Sequence, residues 1–206
     1  LVPGAQDTLC ALWQRDKDVK MTCSVDQGAS FGDETTVEPA GVSATLSSGA
    51  FLNTGELVVS YMGKIGAQNS VYVTKTNDLG QTWSAPVDVG ITSGVGQALN
   101  PTMAPGTAGQ IHLAWYNSYQ GTTSAWHTTS MDGSTWGAPL ELPTIQSWVA
   151  LKPGRAANLH ISGQDNIPGY GTTHYMTSAD DGQSWGVATP IPVTPGFNPP
   201  IEFHAE

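Results

Sequence analysis

Short apolar runs alternate with turn-forming residues along the whole chain, and each run has the length and composition of a β-strand. The run at 57–61 reads Leu-Val-Val-Ser-Tyr, and related runs begin at Leu9, Ile111 and Leu159. Runs that are rich in β-branched and aromatic residues and bounded by Gly, Pro, Asn and Asp are typical of strands. No segment has the apolar spacing of three and four residues that marks an amphipathic helix. The pattern therefore predicts an all-β protein.

A turn motif recurs four times, and each copy contains Ser or Thr, then Asp, Gly, a second hydroxyl residue and an aromatic residue. Its aspartates are Asp26, Asp78, Asp132 and Asp180, at intervals of about 50 residues. A regular interval of this length is typical of propellers, solenoids and repeat arrays. The third copy lacks one residue between Asp132 and Ser134, so we expect its turn to be tighter or irregular.

These four segments resemble the Asp box, or bacterial neuraminidase repeat, of the sialidase-like propellers. In such a turn the Asp side chain accepts backbone N–H groups, Gly supplies a positive φ, and the aromatic ring packs into the sheet. We therefore interpret the motif residues as structural and not as catalytic acids. They are Asp26, Gly28, Phe31, Asp78, Gly80, Trp83, Asp132, Gly133, Trp136, Asp180, Gly182 and Trp185.

The resemblance implies a single domain, a β-propeller of about four four-stranded antiparallel blades. The expected blades are residues 1–40 with 198–206, then 41–90, 98–144 and 146–196. We expect the first unit to begin at its second strand, near Thr8, while the C-terminal segment looks like an opening strand with no blade after it. We expect that segment to pair with the N-terminal blade and close the ring, which hides two strand edges. An eight-bladed ring built by two chains is the alternative, so a homo-oligomer stays open.

The two cysteines are expected on adjacent antiparallel strands, joined by a turn near Asp16 and Lys17. Counting back from that turn, Cys10 and Cys23 are directly opposite, so a cross-strand disulfide is geometrically feasible; two buried thiols are the alternative. A disulfide would indicate an oxidising compartment. The chain also begins at Leu1 and not at Met, and we expect a secreted or extracellular protein.

Charge narrows the range of partners. Seventeen acidic residues against seven basic ones give a formal net charge of −10, and the cations are scattered. Nucleic acid and anionic membrane surfaces need clustered Lys or Arg, so neither is expected as a partner. No apolar run is long enough for membrane insertion. The histidines lack metal-ligand spacing and no EF-hand loop is present, so we expect no metal or cofactor, although the acidic composition leaves calcium open.

In the family that the chain resembles, ligands bind the face opposite the Asp boxes. The corresponding loops here are 14–18, 62–70, 116–123 and 164–172, with 37–42, 90–99, 143–148 and 193–198. Aromatic rings beside amides and carboxylates suit the C–H faces and hydroxyl groups of saccharides. The candidate ligand-binding residues are Tyr116, Asn117, Tyr119, Gln120, Trp148, Asp165, Asn166 and Tyr170. The alternative is that Tyr116 and Trp148 plug the ring centre or cover strand ends.

Catalysis is the point at which the sequence departs from the sialidases. The family binds the substrate carboxylate with three arginines, whereas this chain has only Arg15 and Arg155. We therefore predict a lectin that binds glycans or glycoproteins and is not an enzyme. One alternative is a glycoside hydrolase, or a fragment of one, that uses carboxylates among Glu38, Asp165 and Glu202. A second alternative is a protein-interaction propeller.

Overall fold

The computed structural model describes residues 1–64, 69–90, 96–165 and 171–192. These residues form four antiparallel sheets of four strands each, which we number as blades 1 to 4. Blade 1 contains β1 (Val2–Pro3), β2 (Leu9–Arg15), β3 (Asp18–Ser24) and β4 (Thr35–Thr36), and blade 2 contains β5 (Ala44–Phe51), β6 (Leu57–Lys64), β7 (Asn69–Thr76) and β8 (Val87–Asp88). Blade 3 contains β9 (Gln97–Pro105), β10 (Ile111–Tyr119), β11 (Thr122–Ser130) and β12 (Leu140–Leu142), and blade 4 contains β13 (Ser147–Pro153), β14 (Leu159–Gln164), β15 (Thr173–Ser178) and β16 (Thr189–Pro190).

Each blade is a meander in which strands adjacent in sequence are hydrogen-bonded neighbours. The first strands of blades 2, 3 and 4 contact one another in succession, as the inner strands of a propeller do. The prediction of an all-β propeller of four four-stranded blades is confirmed. No helix in the described parts of the chain has the length and hydropathy of a membrane span.

Three apolar clusters fill the boundaries between successive blades. The first joins Met21 and Val37 of blade 1 to Tyr61 of blade 2. The second joins blade 2 to blade 3 around Trp115, and the third joins blade 3 to blade 4 around Leu142 and Ile161. Burial of these side chains at the boundaries holds each blade against the next.

Blade 1 differs from the sequence-based expectation. Val2 pairs with Cys10 and Pro3 pairs with Leu9, so the unit has a short opening strand of its own, and the prediction that it begins at its second strand is wrong. Two residues flanked by Gly4 are too short to show an alternating pattern. The predicted closing segment, 198–206, lies outside the described residues.

Cys10 and Cys23 are directly opposite on β2 and β3, as the count from the turn predicted. The structure joins them in a disulfide with a Cα–Cα distance of 4.1 Å. Asp16 at the intervening turn has a φ of 57°, which a tight two-residue hairpin turn requires.

Asp78 illustrates how the three full-length copies of the turn are built. Its carboxylate accepts hydrogen bonds from the Thr82 backbone N–H at 2.9 Å and from the Thr76 and Thr82 hydroxyls at 2.7 and 2.6 Å. These bonds stabilise the charged form and lower the pKa of Asp78 to about 2. Leu79 and Gly80 follow with φ values of 58° and 92°, so the chain reverses through two left-handed residues.

The third Asp-box turn is shorter. Asp132 accepts backbone N–H groups from Ser134 at 2.8 Å and Thr135 at 2.7 Å. Gly133 alone has a positive φ there, because the residue that precedes the glycine in the other copies is absent.

Candidate functional site

A cavity of about 370 Å³ opens between blades 2 and 3. Its wall is formed by residues at the ends of strands, opposite the Asp-box turns. These residues are Lys64, Asn69, Gly96, Gln97, Ser118, Tyr119 and Gln120. Because β7 runs from Asn69 to Thr76, the cavity lies about 23 Å from the nearest Asp-box turn at the usual strand rise.

Strand ends and one tight turn position the polar groups of the cavity. Lys64 ends β6, Asn69 begins β7 and Gln97 begins β9. Tyr119 ends β10, and the chain then reverses through Gln120 and Gly121, whose φ values are 49° and 82°. Two consecutive left-handed residues suit the twist of a two-residue hairpin. The β10–β11 hairpin therefore presents Tyr119 and Gln120 at its tip.

The lining of the cavity is polar, and two of its side-chain amides are hydrogen-bonded to each other. Asn69 donates from Nδ2 to Gln97 Oε1 at 2.7 Å, which leaves the Asn69 carbonyl as an acceptor and the Gln97 amide nitrogen as a donor. Tyr119 is 46% exposed, so its ring offers a flat apolar face beside these amides. Lys64 forms no ion pair with a carboxylate among the described residues. The cavity thus combines donors, acceptors, one cation and an aromatic face.

Only some of the predicted ligand-binding residues lie at the cavity. Tyr119 and Gln120 line the cavity. Asn117 instead accepts a hydrogen bond from Trp115 Nε1 at 3.0 Å, and the half-buried Tyr116 packs against the cluster between blades 3 and 4. Burial raises the pKa of Tyr116. The alternative of a packing role therefore fits Tyr116 better than ligand binding.

Trp148 and Asp165 lie on blade 4, away from the cavity lining. Trp148 is 63% exposed and has a φ of 51°, at an irregularity in the pairing of β13 with β14. Asp165 accepts the Thr172 backbone N–H at 2.7 Å and pairs with His174 Nε2 at 3.0 Å. Asn166 and Tyr170 lie outside the described residues.

Five cavity residues were not singled out by the sequence: Lys64, Asn69, Gly96, Gln97 and Ser118. Each belongs to a loop or strand end that the repeat assigned to the ligand face. The polarity of Lys64, Asn69 and Gln97 at strand ends was the available signal, but no local pattern shows that Lys64 and Asn69 of blade 2 lie beside the hairpin tip of blade 3.

Glu38 is a buried carboxyl group on the same end of the molecule. It is only 5% exposed, and its Oε2 accepts the Val19 backbone N–H at 3.0 Å. Oε1 has no hydrogen-bond partner among the described residues, nor has the hydroxyl of the neighbouring buried Tyr61. Burial raises the pKa of Glu38 and, together with the charge of Glu38, raises that of Tyr61. The pKa of Glu38 is raised because desolvation disfavours the charged carboxylate.

The described residues contain no group of three or more His, Cys, Asp and Glu side chains arranged to hold a metal ion. His112 and His127 are within hydrogen-bond distance, with 3.1 Å between Nδ1 and Nε2, and Asp181 approaches His112 from blade 4. That cluster lies near the Asp-box end and belongs to the boundary between blades 3 and 4.

No protein-family model matches this sequence, and no curated protein matches it. Solved structures do match the fold. An intramolecular trans-sialidase from Ruminococcus gnavus aligns with a TM-score of 0.60 and 16% identity, over 85% of this chain and 41% of that one. The NanB sialidase from Streptococcus pneumoniae gives 0.60 and 18%, over 82% of this chain and 27% of that one. The chain has the fold of these propellers.

An α-L-arabinanase from Penicillium chrysogenum, solved with arabinobiose, also matches, with a TM-score of 0.59 and 17% identity, over 90% of this chain and 59% of that one. This chain therefore spans less than two thirds of the length of each of the three proteins.

The comparison corrects one prediction. The sequence led us to predict that the chain is not an enzyme, because it lacks three arginines. The three proteins compared above are named as carbohydrate-processing enzymes, and this finding contradicts the prediction. A missing arginine set argues only against one way of binding a substrate carboxylate. The arabinanase shows that the fold is not restricted to sialidases.

Proposed function

We propose that this chain recognises saccharides and binds them in the cavity between blades 2 and 3. The observation that carries the proposal is the lining itself: amides of Asn69 and Gln97, the exposed ring of Tyr119 and the turn at Gln120 around one opening of about 370 Å³. A volume of this size lies within the usual range of small-ligand sites. The fold shared with sialidases and an arabinanase supports a carbohydrate as the ligand.

The chemistry of the lining fits a sugar ring. A pyranose or furanose presents hydroxyl groups at its edge and C–H groups on its face. Amide groups can donate and accept at once, so they pair with hydroxyl groups, and a tyrosine ring packs against the C–H face. The Asn69–Gln97 hydrogen bond orders both amides before a ligand arrives, which lowers the entropy cost of binding.

The test is a glycan array followed by titration calorimetry with the glycan that binds best. We expect Tyr119→Ala to lower the affinity by a factor of ten or more, since the aromatic contact is lost. Met131→Ala is the control, because Met131 is exposed on the Asp-box end and should leave affinity unchanged. Absence of binding to any glycan, or equal loss in both variants, would contradict the proposal.

A second candidate function is glycoside hydrolysis, and Glu38 is the observation that favours it beside the comparisons. Burial raises the pKa of the Glu38 carboxyl group, which is the direction that a general acid requires. Its Oε1 is buried and has no hydrogen-bond partner among the described residues. Hydrolysis also needs a second group to activate water or to attack the sugar.

Hydrolysis is tested by turnover of aryl glycosides, including a sialoside and an arabinofuranoside. We expect Glu38→Gln to lower turnover at least a hundredfold, whereas the exposed Glu141→Gln should keep it. Lack of turnover of every substrate by the unaltered protein would remove this second candidate and leave saccharide binding standing.

The disulfide supports a further part of the proposal, an oxidising location outside the cytoplasm. Cys10 and Cys23 are bonded, and disulfides persist chiefly in secreted and extracytoplasmic proteins. Glycans and glycoproteins at a cell surface are then accessible partners.

A further inference from the structure

Four residues of the cavity lining form a row that crosses the boundary between blades 2 and 3. Lys64 and Asn69 are directly opposite at the ends of β6 and β7, so their side chains lie on the same face of the sheet. Asn69 donates to Gln97 of blade 3 at 2.7 Å, and Gln97 pairs with Ser118 of β10. Each member of the row therefore adjoins the next.

The two ends of this row differ in chemistry. Lys64, at the blade 2 end, is exposed and carries a positive charge. At the blade 3 end, Ser118 is followed by Tyr119, whose ring is 46% exposed. The amides of Asn69 and Gln97 lie between the two ends. The cavity thus has a cationic end and an aromatic end, joined by neutral hydrogen-bonding groups.

The described lining contains no carboxylate that would oppose an anion. Asp88, on the neighbouring strand β8, accepts a hydrogen bond from the Ser70 hydroxyl. Ser70 follows Asn69 on β7, so the two side chains point to opposite faces of the sheet, and Asp88 is bonded on the face away from the cavity. The connecting segments 65–68 and 91–95 contain no acidic residue in the sequence. The lysine is therefore the only charged side chain in the described lining.

The row is longer than one sugar ring. Lys64 to Asn69 and Gln97 to Ser118 each span one strand spacing, and the bonded amides separate the two pairs. At a strand spacing of about 4.8 Å, the row extends over roughly 15 Å. An oligosaccharide of two or more sugars matches this length better than a single sugar does.

The charge of the chain limits how much negative charge the ligand carries. The formal net charge is −10, which repels polyanions, whereas the described lining supplies one cation. One acidic group at the site balances that cation. The amides suit uncharged hydroxyl groups on the rest of the ligand.

We propose that the ligand is an acidic oligosaccharide in which a uronate carboxylate pairs with Lys64 while a neutral sugar packs on Tyr119. This inference rests on saccharide binding in the cavity, as proposed above, and adds the class and the orientation of the sugar. A carboxylate suits the position because it has two acceptor oxygens. The Lys64 ammonium group can donate to one, and the remaining hydrogen of Asn69 Nδ2, directly opposite, can donate to the other.

The test is titration calorimetry at low salt with three oligosaccharides that carry uronate: a glucuronate-bearing xylotriose, a hyaluronan tetrasaccharide and a rhamnogalacturonan tetrasaccharide. Each is compared with its carboxyl-reduced form, which differs only in lacking the charge. We expect the uronate form of the best pair to bind about three- to tenfold more tightly. Lys64→Met should remove that difference and leave the affinity for the reduced form unchanged. Lys152→Met, which removes an exposed cation of blade 4 outside the described lining, should keep the difference.

A second measurement checks the orientation of the ligand. Tyr119→Ala should weaken the uronate form and the reduced form by the same factor, because the aromatic ring contacts the neutral sugar. Raising the salt concentration should weaken only the uronate form. If Tyr119→Ala instead removes the preference for the uronate form, the acidic sugar lies at the aromatic end and the proposed orientation is wrong.

Three results would overturn the acidic ligand while leaving saccharide recognition standing. They are equal affinity of the unaltered protein for both forms, loss of the reduced form in Lys64→Met, and tighter binding of a sulfate ester than of the matching uronate. If no uronate form binds while neutral glycans bind on the array, only this inference fails. If the array shows no binding at all, the proposed function fails with it.

Discussion

Asp181 of blade 4 holds His112 of blade 3 across the boundary between them, with 3.1 Å between Oδ1 and Nε2. Because the carboxylate accepts, Nε2 of His112 carries the hydrogen and Nδ1 accepts from His127 Nε2–H at 3.1 Å. Nδ1 of His112 can accept only when that imidazole is neutral. Burial lowers the pKa of His112 against the opposing effect of Asp181, and burial with the nearby His112 lowers the pKa of His127 to about 3.

These shifts predict that acid destabilises the protein. Both histidines bind protons in the unfolded chain below about pH 6.5 but resist protonation when folded, so stability is complete above that pH and falls as the pH is lowered towards 3. The slope is up to about 1.4 kcal/mol per pH unit for each histidine. Urea unfolding at pH values between 7 and 5 measures this slope of the free energy of unfolding. The Asp-box carboxylates titrate below this pH range. His127→Gln should flatten the slope, and an unchanged slope in that variant would contradict the assignment.

Gly182 tests the direct contact between blades. Gly182→Ala should cost about 1 to 3 kcal/mol more than Gly121→Ala. Both glycines have a φ near 80°, but a Cβ at Gly121 meets nothing within 4 Å. The difference between the two free energies of unfolding isolates the close contact that a Cβ at Gly182 makes with His127 and His112, and equal losses would argue against it.

Asp78 tests the structural interpretation of the Asp box. Asp78→Ala removes an acceptor of three hydrogen bonds within one turn. We expect a thermal midpoint lower by a few degrees and unchanged saccharide affinity in the folded fraction. The exposed Asp33→Ala is the control. Loss of binding or turnover without loss of stability would instead identify Asp78 as a functional carboxylate.

The disulfide predicts a response to reductant. Cys10 and Cys23 are 13 residues apart, and closing a loop of this length stabilises a protein by roughly 3 kcal/mol. Urea unfolding with and without dithiothreitol should show a loss of this size, whereas the variant with both cysteines replaced by Ala should not respond. A reductant-insensitive unaltered protein would mean that the bond contributes nothing.

The fold was predictable because each blade repeats a local pattern. Residues close in sequence determine the strand alternation, the four turn motifs and the count that places Cys10 opposite Cys23. The short strand at Val2 has no such pattern. The cavity was only partly predictable, since Tyr119 and Gln120 stand out at a hairpin tip, whereas Lys64 and Asn69 of blade 2 reach it through the packing of blade 2 against blade 3. The contact of His112 with Asp181, 69 residues later, depends on the same packing.

The most direct measurement of the central claim is a crystal structure of the chain with the glycan that binds best on the array. We predict the sugar in the cavity between blades 2 and 3, with hydroxyl groups bonded to Asn69 and Gln97 and its C–H face over Tyr119. A sugar bound at the Asp-box end, or beside Trp148 with the cavity empty, would contradict the account.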